Sequence, residues 1–446
     1  MSRHIRLFPV QILAIGFGLL ILMGSIMLSS PLCNKSGEGI PFINGLFTST
    51  SATCVTGLAV YDTYTQFNSL GQFIIILLIQ IGGLGFMGMA MTFSFLIGSK
   101  ITIFQRSLLM ESIGTLHIGG VVKTIRRMLF GTLFFEGLGA LIISFKFIPK
   151  VGFWQGLWYG VFHSVSSFCN AGFDLLGRFD PGSSLTQFSD DPVLLITVMT
   201  LIVTGGIGFI VWGDIVDHKF RFRKYALHSK IMLFFTFLMI LLGAFAFYLV
   251  EGPHSFAEMP ADEKVLNSFF ASVSPRTAGF ASVDYADMST AGRFLTMFLM
   301  FVGAGPGSTG GGIKLTTFAT LLLSMYSYAK HYQDLSIFRR RLPAEAQRKA
   351  FSSIASYVMA VLLCTFCLLV ANPAFTAESC LFESLSAMGT VGLTMGITPE
   401  LGTFSKLCLI VLMYCGRLGS IAVAMAIVRR KIIPKISYPE EKITIG

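Results

Sequence analysis

The sequence predicts an all-α polytopic membrane protein, built from four pseudo-symmetric repeats of helix, pore loop and helix around a central pore. Of the 446 residues, 53% are hydrophobic and only 13% are charged, whereas a soluble chain carries about a quarter charged residues. Apolar runs long enough to cross a bilayer alternate with shorter apolar segments, and one phenylalanine–glycine pattern occurs four times. We therefore expect eight transmembrane helices and four re-entrant pore helices.

The repeated pattern places a glycine ten residues after a phenylalanine and directly before a bulky apolar residue. These glycines recur about every 110 residues, each at the same place relative to its flanking apolar runs. Glycine permits positive φ, so that neighbouring carbonyl groups can turn to a common side and replace the hydration shell of a potassium ion. We predict that four such stretches, hereafter the glycine tripeptides, form a selectivity filter for K⁺. They are Val55-Thr56-Gly57, Asn170-Ala171-Gly172, Thr277-Ala278-Gly279 and Thr390-Val391-Gly392.

In each repeat the sequence predicts, in order, a spanning helix, a half-membrane helix, a glycine tripeptide and a second spanning helix. The first spanning helices are expected at 10–29, 128–145, 231–250 and 354–370. The half-membrane helices, which are short and rich in serine and threonine, are expected at 43–53, 155–168, 264–274 and 377–388. The second spanning helices are expected at 73–97, 192–216, 294–328 and 406–428. The four repeats then occupy residues 1–99, 100–224, 225–345 and 346–446.

Basic residues concentrate in alternate gaps between the apolar runs, and the intervening gaps are acidic or mixed. The basic gaps are 100–127, 219–230, 330–349 and the tail at 429–435. By the positive-inside rule these gaps and both termini lie in the cytoplasm, and the glycine tripeptides face outward. The basic residues that give the net charge of +10 are therefore distributed according to the membrane topology. They predict no nucleic-acid partner.

The second helix of the third repeat is predicted to be broken. Its run at 294–328 would measure about 50 Å as a helix, against a hydrocarbon core of about 30 Å. Its middle, hereafter the glycine-rich loop (303–312), is predicted to obstruct the pore below the filter and to move as a gate. The gate residues are Gly303, Gly305, Pro306, Gly307, Ser308, Thr309, Gly310, Gly311 and Gly312. Related glycine motifs at 82–85 and 205–208 are interpreted as sites of close helix packing, and the motif at 416–419 matches them at its glycines.

Two basic residues are assigned to the same gate. Arg417 lies near the middle of the last apolar run, where an arginine costs about 2.5–3.5 kcal/mol, so that it needs inward-facing partners. The carbonyl groups of the glycine-rich loop are the expected acceptors, and Arg417 is expected to clamp the loop closed or to form an electrostatic barrier; a purely structural tie is the alternative. Lys314 follows the loop and either anchors it or extends towards the cytoplasm.

Four more ionisable residues fall in the apolar segments. Arg276 is expected to point away from the pore and to hold the third tripeptide in place, because its charge would repel cations. Glu383 is expected to accept hydrogen bonds from a neighbouring segment rather than to coordinate an ion. Glu136 and His163 are expected to be satisfied polar groups within the packing.

These motifs resemble the Trk/Ktr/HKT superfamily of cation transporters, most of all the ion-translocating membrane subunit of bacterial Ktr systems. The resemblance covers the whole chain and is based on the motifs at 53–58, 168–173, 275–280, 310–317 and 389–396. It implies a homodimer in the bacterial plasma membrane, with one pore per subunit and a cytoplasmic ring of KtrA- or KtrC-like RCK subunits that bind ATP or ADP. It also implies activation by Na⁺, a gate in the interrupted helix and an arginine at position 417 facing that gate. Glycine at position 57 implies a preference for K⁺.

Two other classes of function are considered. A secondary transporter of another cation or a small solute would have two inverted halves, which the four repeats in one direction disfavour. An intramembrane enzyme would need a catalytic motif such as His-Glu-x-x-His within an apolar run, and the sequence contains none. We therefore expect no enzymatic activity and no covalent cofactor.

Overall fold

The computed structural model describes residues 9–85, 88, 121–219, 221–332 and 334–419. Most of this part of the chain is helical. In chain order the helices are α1 (Pro9–Ser29), α2 (Phe42–Cys54), α3 (Thr63–Gln66), α4 (Ser69–Leu84), α5 (Val121–Val151), α6 (Phe153–Phe168), α7 (Pro192–Gly206), α8 (Phe209–His218), α9 (Leu227–Glu251), α10 (Ala261–Val273), α11 (Thr290–Phe301), α12 (Leu315–Ala329), α13 (Ala344–Ala371), α14 (Ala377–Gly389) and α15 (Thr403–Leu418). A small antiparallel hairpin joins β1 (Ser336–Ile337) to β2 (Arg340–Arg341).

Four helices within the described ranges are long and apolar enough to cross a membrane, namely α1, α5, α9 and α13. They coincide with the four predicted first helices. Large apolar side chains project from their outer faces, including Met23, Phe145, Phe237 and Leu363, each more than 60% exposed. Such faces need a lipid environment, because monomeric soluble proteins rarely expose contiguous apolar surface of this extent.

Short helices are present close to the bounds predicted for the four half-membrane helices, as α2, α6, α10 and α14, and keep that name below. In the first three repeats a serine on the half-membrane helix donates a hydrogen bond to a carbonyl group of the long helix. Ser49 bonds to Ile21 at 2.8 Å, Ser164 to Glu136 at 2.7 Å and Ser272 to Ile240 at 2.9 Å, each distance being from hydroxyl to carbonyl oxygen. These serines thus fix three of the four short helices against their long neighbours.

The glycine motifs of the second helices have two roles, of which only close packing was predicted. A Cβ at Gly82, Gly205 or Gly416 would run into a carbonyl oxygen near the end of the half-membrane helix of the same repeat. The described helix ends at or just before the fourth position of each motif, where the φ angles are +81° at residue 85, +95° at residue 208 and +91° at residue 419. Only glycine adopts such a conformation readily.

The predicted second helix of repeat 2 is therefore not continuous. Helices α7 and α8 meet at an angle of 93°, with the bend at residues 207–208. In repeat 3 the predicted break is confirmed, because α11 ends at Phe301 and α12 begins at Leu315. The predicted second helices of repeats 1 and 4 extend past α4 and α15 into segments outside the described residues.

Candidate functional site

The glycine tripeptides leave their half-membrane helices by one shared backbone conformation. The first residue of each has a positive φ, at 58° for Val55, 60° for Asn170, 78° for Thr277 and 48° for Thr390. Each terminal glycine also has a positive φ, between 70° and 97°. Two left-handed residues separated by one ordinary residue turn the chain away from helical geometry, as the sequence predicted for these stretches.

The four terminal glycines form a closed ring, although more than a hundred residues separate each from the next in sequence. A Cβ added at Gly57 would lie 2.6 Å from the carbonyl oxygen of Ala171, and one at Gly172 would lie 2.8 Å from that of Ala278. A Cβ at Gly279 would meet the oxygen of Val391, and one at Gly392 would meet that of Thr56. Each repeat thus touches the next, and the fourth touches the first.

Hydrogen bonds to the half-membrane helices hold the middle residue of each tripeptide. The amides of Thr56, Ala171 and Val391 each donate to a serine carbonyl oxygen five residues earlier, at 2.8 Å. In the first and fourth repeats the same serine also accepts, through its hydroxyl, the amide of the terminal glycine at 3.0 Å. Because these amides are already engaged, the carbonyl groups of the tripeptides are the groups left to face a ligand.

One side-chain contact joins two neighbouring tripeptides directly. The side-chain amide of Asn170 lies 3.0 Å from the hydroxyl of Thr277. With the amide oxygen facing Thr277, the amide nitrogen can donate to the carbonyl oxygens of Ile202 and Ser167. This contact links the second and third repeats at the base of the ring.

An acidic cavity of 690 Å³ covers the ring on the face opposite the glycine-rich loop, hereafter called its outer side. All four terminal glycines line it, so that it opens directly onto the ring. Among its described lining residues are five carboxylates and no lysine or arginine. The carboxylates are Asp62, Asp174, Asp180, Asp284 and Asp287. Such a cavity concentrates cations next to the ring.

Asp174 lies closest in sequence to the ring, two residues after Gly172. One of its carboxylate oxygens accepts the amide of Leu176 at 2.9 Å. Burial raises the pKa of the Asp174 carboxyl to about 7. The charge of this outer cavity therefore changes near neutral pH.

The glycine-rich loop lies directly against the inner side of the ring. A Cβ at Gly310 would meet the Thr277 hydroxyl, and one at Gly311 would meet the Thr390 hydroxyl. Both threonines are first residues of glycine tripeptides. The absence of side chains at Gly310 and Gly311 thus allows this close approach, and the loop covers the inner side of the ring.

The glycine-rich loop packs on the bend between α7 and α8 and is hydrogen-bonded to it. The broken helix leaves the carbonyl groups of Gly205 and Gly206 free, and they accept the amides of Thr309 at 3.3 Å and Gly305 at 2.9 Å. In return the amide of Phe209 donates to the carbonyl oxygen of Gly307 at 2.9 Å. The Thr309 hydroxyl adds a 3.0 Å bond to the carbonyl oxygen of Phe168 at the end of α6.

Arg417 is bonded to the loop and to the first repeat. Its Nη1 donates to the carbonyl oxygen of Thr309, and its Nη2 donates to the carbonyl oxygens of Gly82 and Gly83, at 2.9 Å for Gly83. The loop carbonyl was the predicted acceptor, and the two carbonyls on α4 were not predicted. Arg417 thus joins the second helices of three repeats.

Lys314 binds the same loop from its C-terminal side. Its Nζ donates to the carbonyl oxygens of Gly310 at 2.8 Å and Gly311 at 3.4 Å. Of the two possibilities given by the sequence, the structure matches the anchoring role. Two cationic side chains therefore hold three consecutive carbonyl groups of the loop.

Three of the other ionisable residues have the hydrogen-bonded roles that the sequence predicted. Glu383 is fully buried and accepts the hydroxyl of Thr398. Glu136 accepts the side-chain amide of Gln80 at 3.2 Å. The ring of His163 is bonded on both sides, at 2.7 Å to the Tyr159 carbonyl oxygen and at 3.2 Å to the amide of the residue at 175.

The expectation for Arg276 was only half right. The side chain is absent from the lining of the acidic cavity, as predicted, and it is 8% exposed. It does not hold the backbone of the third tripeptide, because its guanidinium forms no hydrogen bond with any described residue, and Nε is left without a partner. The tripeptide is held instead by the carbonyl oxygen of Ser274, which accepts the Ala278 amide at 3.0 Å.

The sequence reasoning missed the five carboxylates of the outer cavity as a group. They come from three loops that are far apart in the chain. Four of them were considered only as parts of acidic gaps, and Asp62 was not singled out. The available signal was their position, because Asp62, Asp174 and Asp284 each follow a terminal glycine by two to five residues.

The fold and this site together define a polytopic membrane protein with a ring of backbone carbonyl groups between an acidic outer cavity and a cation-clamped inner loop. Residues 21–438 match the TrkH family, described as cation transport protein. The chain belongs to this family, which comprises cation transporters rather than enzymes.

Curated relatives and a solved structure agree with this assignment. The chain is 41% identical to the potassium/sodium uptake protein NtpJ of Enterococcus hirae, over 99% of this chain and 98% of the relative. It is 37% identical to the Ktr system potassium uptake protein B of Bacillus subtilis, over 100% and 98% of the two chains. The crystal structure of the potassium transporter TrkH from Vibrio parahaemolyticus matches with a TM-score of 0.76, covering 96% of this chain and 86% of that one, at 18% identity. That last similarity supports the fold alone.

Proposed function

We propose that the protein takes up potassium across the bacterial plasma membrane, through a filter formed by the four glycine tripeptides. The main support for this proposal is the closed ring of Gly57, Gly172, Gly279 and Gly392. Each of these glycines lies against the carbonyl group of the residue directly before the next ring glycine. Four backbone carbonyls brought together in this way can replace the water around a dehydrated K⁺ ion. A residue with a side chain at any of the four positions would displace one of these carbonyls.

The electrostatics on the outer side of the ring favour a cation. Helices α2, α6, α10 and α14 end one to four residues before a glycine tripeptide, so that their negative dipole ends point towards the ring. The five carboxylates of the outer cavity add full negative charges. Potassium is the substrate of this arrangement rather than a resident cofactor.

The glycine-rich loop, with Gly303, Gly305 and Gly312 near its two ends, acts as the gate. It covers the inner side of the ring and is held there by backbone bonds to the α7–α8 bend, by Arg417 and by Lys314. Opening requires these bonds to break together. Pro306, Gly307 and Ser308 form the tip that rests on the bend, where the Ser308 hydroxyl donates to the Gly305 carbonyl oxygen at 2.6 Å.

The name of one relative, a potassium/sodium uptake protein, makes Na⁺ a second candidate substrate. Glycine at all four ring positions favours K⁺, because a larger ion suits a ring formed only by backbone carbonyls. We assign Na⁺ the role of activator, as the resemblance to Ktr systems implies.

The same proposal includes the complete architecture and assembly. Eight spanning helices and four pore helices form the repeats 1–99, 100–224, 225–345 and 346–446, with both termini in the cytoplasm. Two subunits form a homodimer with one pore each. A ring of RCK subunits, which bind ATP or ADP, docks on the basic cytoplasmic face; the names of the Ktr system relatives support a multi-component assembly.

The decisive test is ion flux with the purified chain in liposomes. We expect K⁺ flux well above that of protein-free liposomes and well above Na⁺ flux under equal gradients. Variants with serine at each ring glycine separately should lose this preference. The proposal fails if K⁺ flux equals that of protein-free liposomes, or if flux is indifferent to all four substitutions.

A further inference from the structure

A basic β-hairpin follows the glycine-rich loop in the chain, on the inner side of the ring. The chain reaches it through α12, which begins just after that loop and runs for 15 residues. The turn between β1 and β2 consists of Phe338 and Arg339, whose φ angles are +51° and +60°. Asn-Gly adopts such a turn at lower cost than any other pair. The sequence instead places an aromatic and a cationic side chain at the tip.

The tip of the hairpin packs against aromatic rings of two other segments. The ring centroid of Phe338 lies 6.3 Å from that of Phe222 and 6.1 Å from that of Phe234, both in edge-to-face geometry. Phe222 belongs to the segment between α8 and α9, and Phe234 belongs to α9. These three rings, hereafter the phenylalanine cluster, bring the hairpin next to the basic segment at 221–224.

The phenylalanine cluster is continuous with the exposed apolar surface of α9. Its three rings remain between 38% and 47% exposed, although they pack against one another. Phe234 lies about 10 Å along α9 from the first residue of that helix, and Phe237, one turn further on, is 65% exposed. The hairpin tip thus reaches the depth at which the headgroups of a bilayer meet its acyl chains.

Exposed cationic side chains flank the two rings of the cluster that lie outside α9. They are Arg221, Arg223, Lys224, Arg339, Arg340 and Arg341. Among the described residues of 219–230 and 334–342 the only carboxylate is Asp334, whose 2.8 Å bond to Arg341 compensates one of these charges. Lys230 adds a further cation, 5.9 Å from the centroid of the Phe222 ring. Exposed aromatic rings and a surplus of positive charge therefore lie side by side.

We propose that the hairpin and the basic segment at 221–224 bind anionic phospholipid headgroups of the cytoplasmic leaflet, with the phenylalanine cluster at the level of the acyl chains. This inference rests on the proposed membrane orientation and not on the K⁺ filter. Arginine suits such a partner, because its planar guanidinium donates two parallel hydrogen bonds to a phosphate group. An acidic surface of a soluble protein also matches these charges, but it would have to enter the bilayer to cover Phe234.

Quenching of tryptophan fluorescence by brominated lipids tests the site without any transport measurement. Phe338→Trp places an indole ring at the hairpin tip, and the signal of the three native tryptophans is subtracted with the unmodified protein. The full chain is reconstituted with phosphatidylglycerol or phosphatidylcholine that carries bromine on its acyl chains, so that free phosphate gives no signal. We expect phosphatidylglycerol to bind at the tip roughly tenfold more strongly than phosphatidylcholine.

Charge variants of the Phe338→Trp protein assign this preference to the hairpin. Arg339→Gln/Arg340→Gln should reduce it at least threefold. Lys35→Gln/Lys150→Gln is the matched control, because it removes the same charge from two exposed lysines that precede half-membrane helices on the outer side. Its preference for phosphatidylglycerol should be unchanged. Equal quenching by the two lipids, no quenching by either, or an unchanged preference in the arginine variant would overturn the site.

Thermal unfolding in detergent provides a second measurement that needs no tryptophan variant. Phosphatidylglycerol should raise the Tm of the unmodified protein more than phosphatidylcholine does, because a ligand of the folded state stabilises it. The difference should be smaller in Arg339→Gln/Arg340→Gln and unchanged in Lys35→Gln/Lys150→Gln. Equal differences in all three proteins would overturn the site. Neither measurement bears on the K⁺ filter, because no ion flux is measured.

Discussion

Arg417 donates a hydrogen bond to the backbone carbonyl of Thr309, a residue 108 positions earlier in the chain. The contact joins the last described helix to the glycine-rich loop, and the Thr309 hydroxyl extends it to the carbonyl group that ends α6. One arginine therefore connects the loop to the fourth repeat, while one threonine connects it to the second.

Arg417→Gln should weaken the closed position of the loop. A hydrogen bond from a charged donor is worth about 1.5–3 kcal/mol, so that the equilibrium should shift towards the open loop by roughly 10- to 100-fold. We expect faster K⁺ flux in liposomes from a protein that still folds. Arg348→Gln is the control, because Arg348 is exposed on α13 and should leave flux unchanged. Equal flux in all three proteins would leave Arg417 with a structural role only.

Gly392→Ser should damage ion selectivity more than stability. The new Cβ would run into the Thr56 carbonyl oxygen, so that one wall of the ring must move. We expect the ratio of K⁺ to Na⁺ flux to fall by roughly tenfold or more, since 1.4 kcal/mol of lost discrimination suffices for this change. The matched control is Gly402→Ser, at an exposed glycine whose added Cβ would touch nothing within 4 Å. Selectivity that survives at position 392 would speak against a filter role for this residue.

Flux should depend on external pH through Asp174. Because burial raises the pKa of this carboxyl to about 7, it carries its negative charge above that pH and loses it below. At a distance of about 8 Å in water, one charge changes the local K⁺ concentration roughly twofold. K⁺ uptake should therefore fall about twofold as external pH decreases from 8 to 6.

The matched variants for this pH effect are Asp174→Asn and Asp180→Asn. Both residues line the same outer cavity. The first variant should abolish the pH dependence in this range, and the second should retain it. An identical pH profile in Asp174→Asn and the unmodified protein would show that another group titrates.

Gly208→Ala should destabilise the α7–α8 bend, on which the glycine-rich loop packs. Residue 208 has a φ of +95°, and an added Cβ would lie 2.7 Å from the Pro306 carbonyl oxygen. The strain should cost roughly 1–3 kcal/mol and appear as a lower Tm in detergent. Gly137→Ala, at a helical glycine with open space around it, should leave the Tm unchanged or raise it slightly. If both variants unfold at the same temperature, the conformation of residue 208 does not contribute to the stability of the protein.

The sequence predicted the first helix and the short helix of each repeat well, because the apolar lengths and the serine-rich short segments are local signals. The half-membrane helix at 155–168 was found at Phe153–Phe168, and the one at 377–388 at Ala377–Gly389. The break of the third repeat was also predictable, because a run of 35 residues is too long for one straight span.

Two features that depend on residues distant in the sequence were not predicted. The motif at 205–208 has the composition of a packing motif, and nothing local distinguishes its first glycine, which packs, from its last, which bends the chain by 93°. The unpaired state of Arg276 was missed for a similar reason. Its surroundings come from α9 and the glycine-rich loop, tens of residues away in the sequence.

We propose that the four glycine tripeptides hold a dehydrated K⁺ ion. Rubidium, which substitutes for potassium, scatters X-rays anomalously, so that crystals in rubidium salts locate the ion directly. We expect an anomalous peak inside the ring, about 3 Å from the carbonyl oxygens of Thr56, Ala171, Ala278 and Val391. A ring without rubidium, while rubidium occupies other parts of the protein, would contradict it.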